Sequence, residues 1–211
     1  MSGITAAVAG ATGLVGGLLL RRLLDDPEIA RVIAPTRRPL PPHPKLDNPA
    51  FDGTTWAVLP PLDEAYGCLG TTRKQAGSAD AFRFVDLGLT RSFARAAKAA
   101  GARRFGLVSA LGADARSRFL YPRTKGEAEA AVSGLGFESV AIARPSLLLG
   151  ERAESRPAEK FTIAAFRFLE AALAGPLRRW RAVRADDVAS SLIAALRGRV
   201  PGVLTLESDA I

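Results

Sequence analysis

Short apolar runs alternate with longer amphipathic segments along the whole chain. The apolar runs predict strands at 4–9, 31–35, 54–59, 65–69, 105–109, 139–144 and 203–206. The amphipathic segments predict helices at 14–24, 86–100, 118–134, 160–173 and 186–196. This alternation, with apolar strands, is typical of a parallel sheet that helices cover on both faces. The sequence therefore predicts a doubly wound α/β fold.

A glycine-rich turn separates the first predicted strand from the first predicted helix. It reads Gly10-Ala11-Thr12-Gly13-Leu14-Val15-Gly16 within a stretch of twenty residues that has no charged side chain. A secretion signal would need basic residues before the apolar run, and a membrane span would contain fewer glycines. A glycine turn at a helix N-terminus fits a pyrophosphate better, because the backbone can approach the anion closely. The turn predicts a dinucleotide site, against the alternative of a purely structural turn.

The end of the second predicted strand indicates which dinucleotide would bind. Enzymes that prefer NAD carry a carboxylate there for the ribose 2′-hydroxyl. This chain has Arg37 and Arg38 instead, following Ala34-Pro35-Thr36. Guanidinium groups suit a 2′-phosphate, so the pair favours NADP(H). The alternative is that both arginines are ordinary solvated charges.

Candidate chemistry lies after the fifth predicted strand. Ser109 ends that strand, and Tyr121 and Lys125 lie four residues apart, one turn apart on a helix face. The Lys125 ammonium would favour the phenolate of Tyr121, which could then pass its proton to a carbonyl oxygen as hydride arrives. Ser109 would hydrogen-bond that oxygen. The alternative is that Tyr121 packs against the core and Ser109 caps the strand end.

These residues together resemble the short-chain dehydrogenase/reductase superfamily across essentially the whole chain. A narrower resemblance is to its atypical branch that includes the Tat-interacting-protein-like proteins. The stretches that carry it are Cys68 to Ser78, Phe119-Leu120-Tyr121, Lys125-Gly126-Glu127, Arg144-Pro145 and Glu154-Ser155-Arg156-Pro157. The sequence departs from the classical members in two respects. Its only asparagine, Asn48, lies in an early loop, so the asparagine of their proton relay is absent. The chain is also short, with little room for the substrate-binding region of the larger members.

The resemblance implies a single NAD(P)-binding Rossmann domain over residues 1–211, with small C-terminal elements on the substrate side. It implies that Tyr121 and Lys125 contact the cofactor as well as the substrate. It also implies two further cofactor-binding segments after the fourth and sixth strands, which are Gly70-Thr71-Thr72 and Arg144-Pro145-Ser146.

Composition narrows the remaining classes of function. The chain has 211 residues, of which 48% are hydrophobic, so it can bury a sizeable core. One cysteine, Cys68, and one histidine, His43, argue against a disulfide framework, a histidine-based triad and a metal site. The net charge of +8 allows a nucleic-acid partner, but the arginines are scattered, so that partner is not expected. Without a signal or a span, we expect a cytoplasmic protein that does not enter membranes.

The leading hypothesis is an NADPH-dependent reductase of a carbonyl or a related small compound. The alternative is a regulatory protein that holds NADP(H) and changes its contacts with a protein partner according to the redox state. A nucleic-acid binder is the weakest reading. The sequence identifies no substrate, and a homodimer is an open possibility. The polar stretch 150–160 is either a lid or an ordinary surface loop.

Overall fold

The computed structural model describes residues 3–149 and 180–211. Its main feature is a seven-stranded sheet in which every strand pairs in parallel, in the order β3-β2-β1-β4-β5-β6-β9. The strands of this sheet are β1 (Ile4–Ala9), β2 (Ile29–Ile33), β3 (Leu46–Asp47), β4 (Glu64–Gly67), β5 (Arg104–Val108), β6 (Ser139–Arg144) and β9 (Gly202–Glu207). Two further short strands, β7 (Leu148–Leu149) and β8 (Val183–Arg184), pair separately. The predicted doubly wound α/β fold is confirmed.

Within the described residues, helices lie between β1 and β2, between β4 and β5, between β5 and β6, and before β9. They are α1 (Leu14–Asp25), α2 (Arg73–Ala76), α3 (Ala79–Arg83), α4 (Thr90–Ala99), α5 (Leu120–Ser133) and α6 (Ala185–Arg197). A π-helical turn, Phe84–Leu89, joins α3 to α4 without a break in the helical backbone. Such turns are rare and often occur at functional positions.

Alternate residues of the strands build two apolar layers, one on each face of the sheet. Ala6 and Val8 of β1 belong to the layer that includes α1 and α6, in which Leu19 and Leu192 are fully buried. The next residue in β1, Ala7, belongs to the opposite layer, with Phe93 and Phe105. This alternation follows from the two-residue period of a strand. Both faces of the sheet are therefore buried, as the apolar strands predict.

Two predictions about the early elements are wrong. Residues 54–59 form no strand, and the third strand is Leu46–Asp47. Trp56 supplies the apolar signal there, but its ring stacks on Phe51 at 4.0 Å between centroids and its Nε1 donates to Leu89 O at 3.1 Å. Tertiary contacts of this kind cover an apolar side chain without any strand pairing. The predicted helix 86–100 also begins earlier, at Ala79, where Ser78 caps the first turn.

The predictions for 150–179 lie outside the described residues. They comprise the polar loop or lid at 150–160 and the helix at 160–173. None of the helices in the described ranges is both long and apolar enough to cross a membrane.

The strand order creates a crevice between the carboxyl ends of β1 and β4. The chain passes from β1 to β2 and β3 on one side, and β4 then lies on the other side of β1. In open α/β sheets, ligands bind at such a switch point. The glycine turn follows β1, and residues 68–72 follow β4, so both predicted segments lie at this crevice.

Candidate functional site

The glycine turn fits its position because two of its glycines tolerate no side chain. Gly10 has a φ of +83°, and a Cβ there would lie 2.5 Å from the carbonyl oxygen of Cys68. A Cβ on Gly16 would overlap the carbonyl oxygen of Gly10. The first contact lets β1 and β4 continue side by side, and the second lets α1 pack directly on the turn. The predicted turn therefore brings the helix close to the strand ends.

The N-terminus of α1 is free to receive an anion. Gly13 is its N-cap residue and supplies no side-chain cap, and the first turn has no acidic side chain. Thr12, Leu14 and Val15 belong to the same turn, as predicted. The first amides of a helix carry a partial positive charge and need partners. This arrangement fits a pyrophosphate.

Thr12, Arg37 and Arg38 line one surface pocket of about 280 Å³. The two arginines are exposed, and neither forms an ion pair with any residue in the ranges 3–149 and 180–211. Asn48 shapes the turn that presents them, because its Nδ2 donates to Ala34 O at 2.5 Å and to Thr36 Oγ1 at 2.8 Å. The pocket therefore joins the glycine turn to two available guanidinium groups.

Lys125 is buried and forms an ion pair. Its Nζ lies 2.6 Å from Oδ1 of Asp86, a fully buried carboxylate in the π-helical turn. The other oxygen of Asp86 accepts the backbone N–H of Thr71 at 2.9 Å. The pair thus connects α5, the π-helical turn and the segment after β4.

Ser109 is also buried, and its hydroxyl donates to a carboxylate. The acceptor is Glu129 Oε1, on the next turn of α5 beyond Lys125. Glu129 also accepts two hydrogen bonds from Arg144, at 3.0 and 2.6 Å, and Arg144 lies 3.5 Å from Glu207. The hydrogen bonds that Arg144 donates to Glu129 raise the pKa of its guanidinium above the usual value. The Ser109 oxygen retains its lone pairs, so it can accept a hydrogen bond from a ligand.

Tyr121 lies one helical turn before Lys125 and is about half exposed, at 48%. Its ring lies over Phe82, with 5.8 Å between centroids. Its hydroxyl forms no hydrogen bond within the described residues, so it is available to a ligand. The structure therefore has Tyr121 and Lys125 on α5, as predicted, but gives the lysine a carboxylate partner that the sequence analysis did not include.

The other predicted cofactor residues have defined local roles. Gly70 is exposed beside the Lys125–Asp86 pair. Thr72 caps α2, and its side chain accepts the N–H of Gln75 at 3.1 Å. Pro145 O accepts from Leu111 N at 2.9 Å. The backbone N–H of Ser146 donates to Ser208 Oγ at 2.7 Å, and its hydroxyl donates to Arg181 O.

The sequence analysis missed Asp86 and Glu129. Asp86 carried a weak signal, since it is a single acid within the apolar stretch Phe84-Val85-Asp86-Leu87. Glu129 carried a clearer one, because Tyr121, Lys125 and Glu129 follow each other at a four-residue spacing on one helix face. Its partners, Ser109 and Arg144, come from two strand ends and depend on the fold.

Metal chemistry has no candidate site within the described parts of the chain. No group of three or more His, Cys, Asp or Glu side chains there could hold a metal ion. Burial raises the pKa of the Cys68 thiol to about 12, so the thiol stays protonated near neutral pH.

Comparison with solved structures shows the fold class. MoeE5 in complex with UDP-glucuronic acid and NAD superposes with a TM-score of 0.74 at 20% identity, covering 97% of this chain and 76% of that one. UDP-glucuronic acid 4-epimerase from Bacillus cereus in complex with NAD gives 0.69 at 17% identity, covering 97% and 78%. WbmG from Bordetella bronchiseptica in complex with NAD gives 0.69 at 15%, covering 98% and 73%. The chain therefore has a Rossmann fold.

Comparison with curated proteins identifies closer relatives, whereas no family model matches the chain. The mitochondrial protein Fmp52 of Aspergillus clavatus is 42% identical over 214 residues, covering 92% of this chain and 89% of the relative. Fmp52 of Aspergillus fumigatus is 41% identical with the same coverage. Fmp52 of Candida albicans is 38% identical over 161 residues, covering 70% and 69%.

These names contradict the expected cytoplasmic location, because the relatives are named as mitochondrial proteins. That expectation, which came from the lack of a recognisable signal or span, is wrong. The identity and the coverage extend over most of both chains, and on that basis the chain belongs to the Fmp52 protein family.

Proposed function

We propose that this protein binds NADP(H) at the crevice between β1 and β4 and reduces a carbonyl or a related small compound. The observation that carries the proposal is the pocket where Thr12 of the glycine turn meets Arg37 and Arg38. A dinucleotide whose pyrophosphate lies at the α1 N-terminus extends its adenosine ribose toward the end of β2. Two guanidinium groups there, which pair with no carboxylate among the described residues, suit a 2′-phosphate.

The fold supports a nicotinamide dinucleotide more generally. The solved structures of MoeE5, of WbmG and of the Bacillus cereus epimerase all contain NAD. The residues of this chain fit such a group, because the uncapped N-terminus of α1 has no acidic side chain to repel a pyrophosphate. The preference for the phosphorylated form rests on Arg37 and Arg38.

The reaction would use the groups at the carboxyl ends of β4 and β5. A bound reduced nicotinamide supplies hydride. The Tyr121 hydroxyl, half exposed and without a partner in the described residues, donates a proton to the carbonyl oxygen. The Lys125 ammonium would favour the resulting phenolate, though less strongly than an unpaired ammonium because Asp86 balances part of its charge.

Ser109 has a more specific role than the sequence suggests. Its proton is directed to Glu129, so in this arrangement its oxygen accepts rather than donates. It would therefore hold the hydroxyl of the product alcohol, and donation to the substrate carbonyl would require the Ser109 side chain to rotate. Glu129, fixed by Arg144, keeps Ser109 in the acceptor orientation.

The same observation favours a second candidate, an NADP(H)-binding regulatory protein with little catalysis. A serine whose proton is held by a carboxylate stabilises a developing alkoxide less well than a free donor does. Binding without turnover would then report the redox state to a partner. The narrower assignment to the Tat-interacting-protein-like branch is consistent with either candidate, and we also propose a mitochondrial location from the names of the relatives.

The first experiment is a titration of the full chain with NADPH and with NADH, followed by nicotinamide fluorescence. The wild type is expected to bind NADPH at least about tenfold more tightly than NADH, because charge-assisted bonds to phosphate are strong. Arg37→Ala should remove most of this preference without weakening NADH. Arg21→Ala, which removes an exposed arginine of α1, is the matched control. Equal affinity for both nucleotides in the wild type would exclude the 2′-phosphate site.

A second experiment separates the two candidates. A set of small aldehydes and ketones is incubated with NADPH and the protein, and the loss of absorbance at the reduced nicotinamide band is followed. Turnover that disappears in Tyr121→Phe identifies a reductase. NADPH binding without turnover of any compound in the set, in the wild type and in Tyr121→Phe alike, favours the regulatory protein.

A further inference from the structure

The Lys125–Asp86 ion pair is the most deeply buried pair of charges at the carboxyl ends of the described strands. Nζ and Oδ1 lie 2.6 Å apart, and the exposed fractions of the two side chains are 8% and 0%. Buried charges interact strongly because water screens them little. The site therefore contains an ammonium whose charge is cancelled locally by a carboxylate.

The carboxylate is held in place from two sides. Asp86 lies in the π-helical turn, where the wider backbone shifts the register of the helix between α3 and α4. Its Oδ2 accepts the N–H of Thr71 at 2.9 Å, which ties it to the segment after β4. Asp86 thus stays beside Lys125 and is not free to turn toward solvent.

The ion pair is open toward the crevice at one residue. Gly70 is exposed, and a Cβ on it would lie 3.7 Å from Lys125 Nζ and 3.8 Å from Asp86 Oδ1. Because this residue has no side chain, a ligand in the crevice can approach both charges. A charge on that ligand therefore interacts with both the Lys125 ammonium and the Asp86 carboxylate.

We propose that Asp86 determines how tightly the protein holds the oxidised dinucleotide relative to the reduced one. The inference rests on the proposed function, in which Lys125 lies beside the nicotinamide. The oxidised nicotinamide ring carries a positive charge that the reduced ring lacks. An isolated Lys125 ammonium would repel the oxidised ring, and Asp86 cancels this repulsion. Asp86 acts through Lys125 as a positioning and charge-balancing residue.

The test compares dissociation constants for NADP⁺ and NADPH across variants of the full chain, all at the same pH. NADPH is titrated by fluorescence, and NADP⁺ by displacement of NADPH. In Asp86→Asn the ratio of the NADP⁺ constant to the NADPH constant should rise about fivefold to tenfold, because one positive charge is left beside the ring. In the double variant Asp86→Asn with Lys125→Met, which removes both charges, the ratio should return to within about twofold of the wild type.

A matched control and a second substitution keep the test decisive. Asp80→Asn makes the same change at an exposed residue of α3, and its ratio should equal that of the wild type. Asp86→Ser gives the same loss of charge with room for a water molecule beside Lys125, and it replaces Asp86→Asn if that variant fails to fold. Circular dichroism of each variant checks its fold.

The outcomes separate this inference from the function on which it rests. If the wild type binds neither nucleotide, the proposed function is wrong. If the wild type binds both nucleotides but the ratio in Asp86→Asn equals that of the wild type, Asp86 has no effect on redox preference and the inference alone is overturned.

Discussion

Buried carboxylates occur at both ends of the sheet, and their surroundings differ. At the amino ends of β4 and β5, Glu64 accepts from Arg104 at 3.1 Å and from the Tyr66 hydroxyl at 2.9 Å, and it lies 3.9 Å from Arg197. At the carboxyl ends, Asp86 pairs with Lys125 and Glu129 accepts from Ser109. Both arrangements bring a buried carboxylate close to cationic or hydroxyl groups.

The difference lies in what remains available to a ligand. The amino-end network continues from Arg197 to Asp26 at 2.9 Å and to Glu28 at 2.5 Å, and its charges bind one another. At the carboxyl end, the Lys125–Asp86 pair lies beside the exposed Gly70, and Glu129 and Arg144 line a surface pocket. Ion pairing is therefore common to the two ends of the sheet. The two ends differ in how far their carboxylates are accessible from the crevice.

The largest effect is expected when the amino-end carboxylate, Glu64, loses its charge. Glu64→Gln should lower the free energy of unfolding by about 3–5 kcal/mol, because Arg104 is left buried without its charge partner. The ratio of the NADPH and NADP⁺ constants should not change. Urea unfolding measures the first effect and fluorescence titration the second. Asp47→Asn, which removes the exposed pair with Arg31, is the control and should cost at most about 1 kcal/mol. A change in nucleotide preference in Glu64→Gln would contradict the division between the two ends.

The two tyrosines of the chain belong to the two ends of the sheet. The Tyr66 hydroxyl bonds Glu64 at the amino ends, and Tyr121 lies on α5 at the carboxyl ends. Tyr121→Phe should lower carbonyl reduction at least about 100-fold, because it removes the proton donor. Its free energy of unfolding should change by less than about 0.5 kcal/mol, since the hydroxyl has no partner in the described residues.

Tyr66→Phe should give the opposite result. It removes a buried hydrogen bond to Glu64 and should lower the free energy of unfolding by about 1.5–3 kcal/mol while leaving turnover unchanged. Steady-state kinetics and urea unfolding of the two variants side by side check both statements. Equal losses of stability in the two variants would show that Tyr121 has a structural role.

A substitution at Gly16 tests the close contact between the glycine turn and α1. Gly16→Ala should lower the free energy of unfolding by about 1–3 kcal/mol and abolish nucleotide binding, because its Cβ would overlap Gly10 O. Gly17→Ala is the matched control, since its Cβ would lie 3.3 Å from Ala11 O, a tight contact that a small shift relieves. That substitution also favours the helix by up to about 1 kcal/mol. Nucleotide binding by Gly16→Ala would exclude the close approach of turn and helix as a requirement.

The smallest expected effect concerns alkaline pH. Burial raises the pKa of Cys68 at the carboxyl end to about 12, and burial together with Glu64 raises that of Tyr66 at the amino end. A pKa that is higher in the folded state gives stability that is present below the unfolded value and lost as pH rises toward the folded value. The loss of stability from Cys68 should begin above about pH 8.5, at a lower pH than the loss from Tyr66.

Cys68→Ala should therefore reduce the loss of stability between pH 8.5 and 10 by about 1 kcal/mol. Urea unfolding across this range measures it, with each variant compared with its own value at pH 7. An unchanged slope would mean that the thiol ionises as freely in the folded protein as in the unfolded chain.

The sequence predicted those parts of the molecule that depend on local patterns. The glycine turn and the Tyr121–Lys125 spacing are contiguous in sequence, and the structure has both at the predicted elements. The predicted strand at 54–59 was wrong because Trp56 is covered by Phe51 and α4 rather than by a neighbouring strand. The location was also wrong, since it rested only on what the sequence lacked.

The roles of Asp86 and Glu129 could not be predicted from the sequence, because their partners are distant along the chain. The partner of Asp86 is 39 residues away in sequence, and the π-helical turn that directs its carboxylate has no recognised sequence signal. Glu129 was visible as a third residue on the Tyr121 face, but the spacing alone would have paired it with Lys125. Its bonds to Ser109 and Arg144 require the strand order β5–β6.

Gly126, next to Lys125, has a mechanical consequence. A Cβ at this residue would overlap the backbone N of Ala115, so α5 and the loop before it are in direct backbone contact. The loop is further held by Asp114 N, which donates to Pro122 O at 3.0 Å. Loop and helix are thus coupled as one stiff unit, and local unfolding of either must separate both. Amide hydrogens of the loop should then exchange with solvent at the slow rate of the helix.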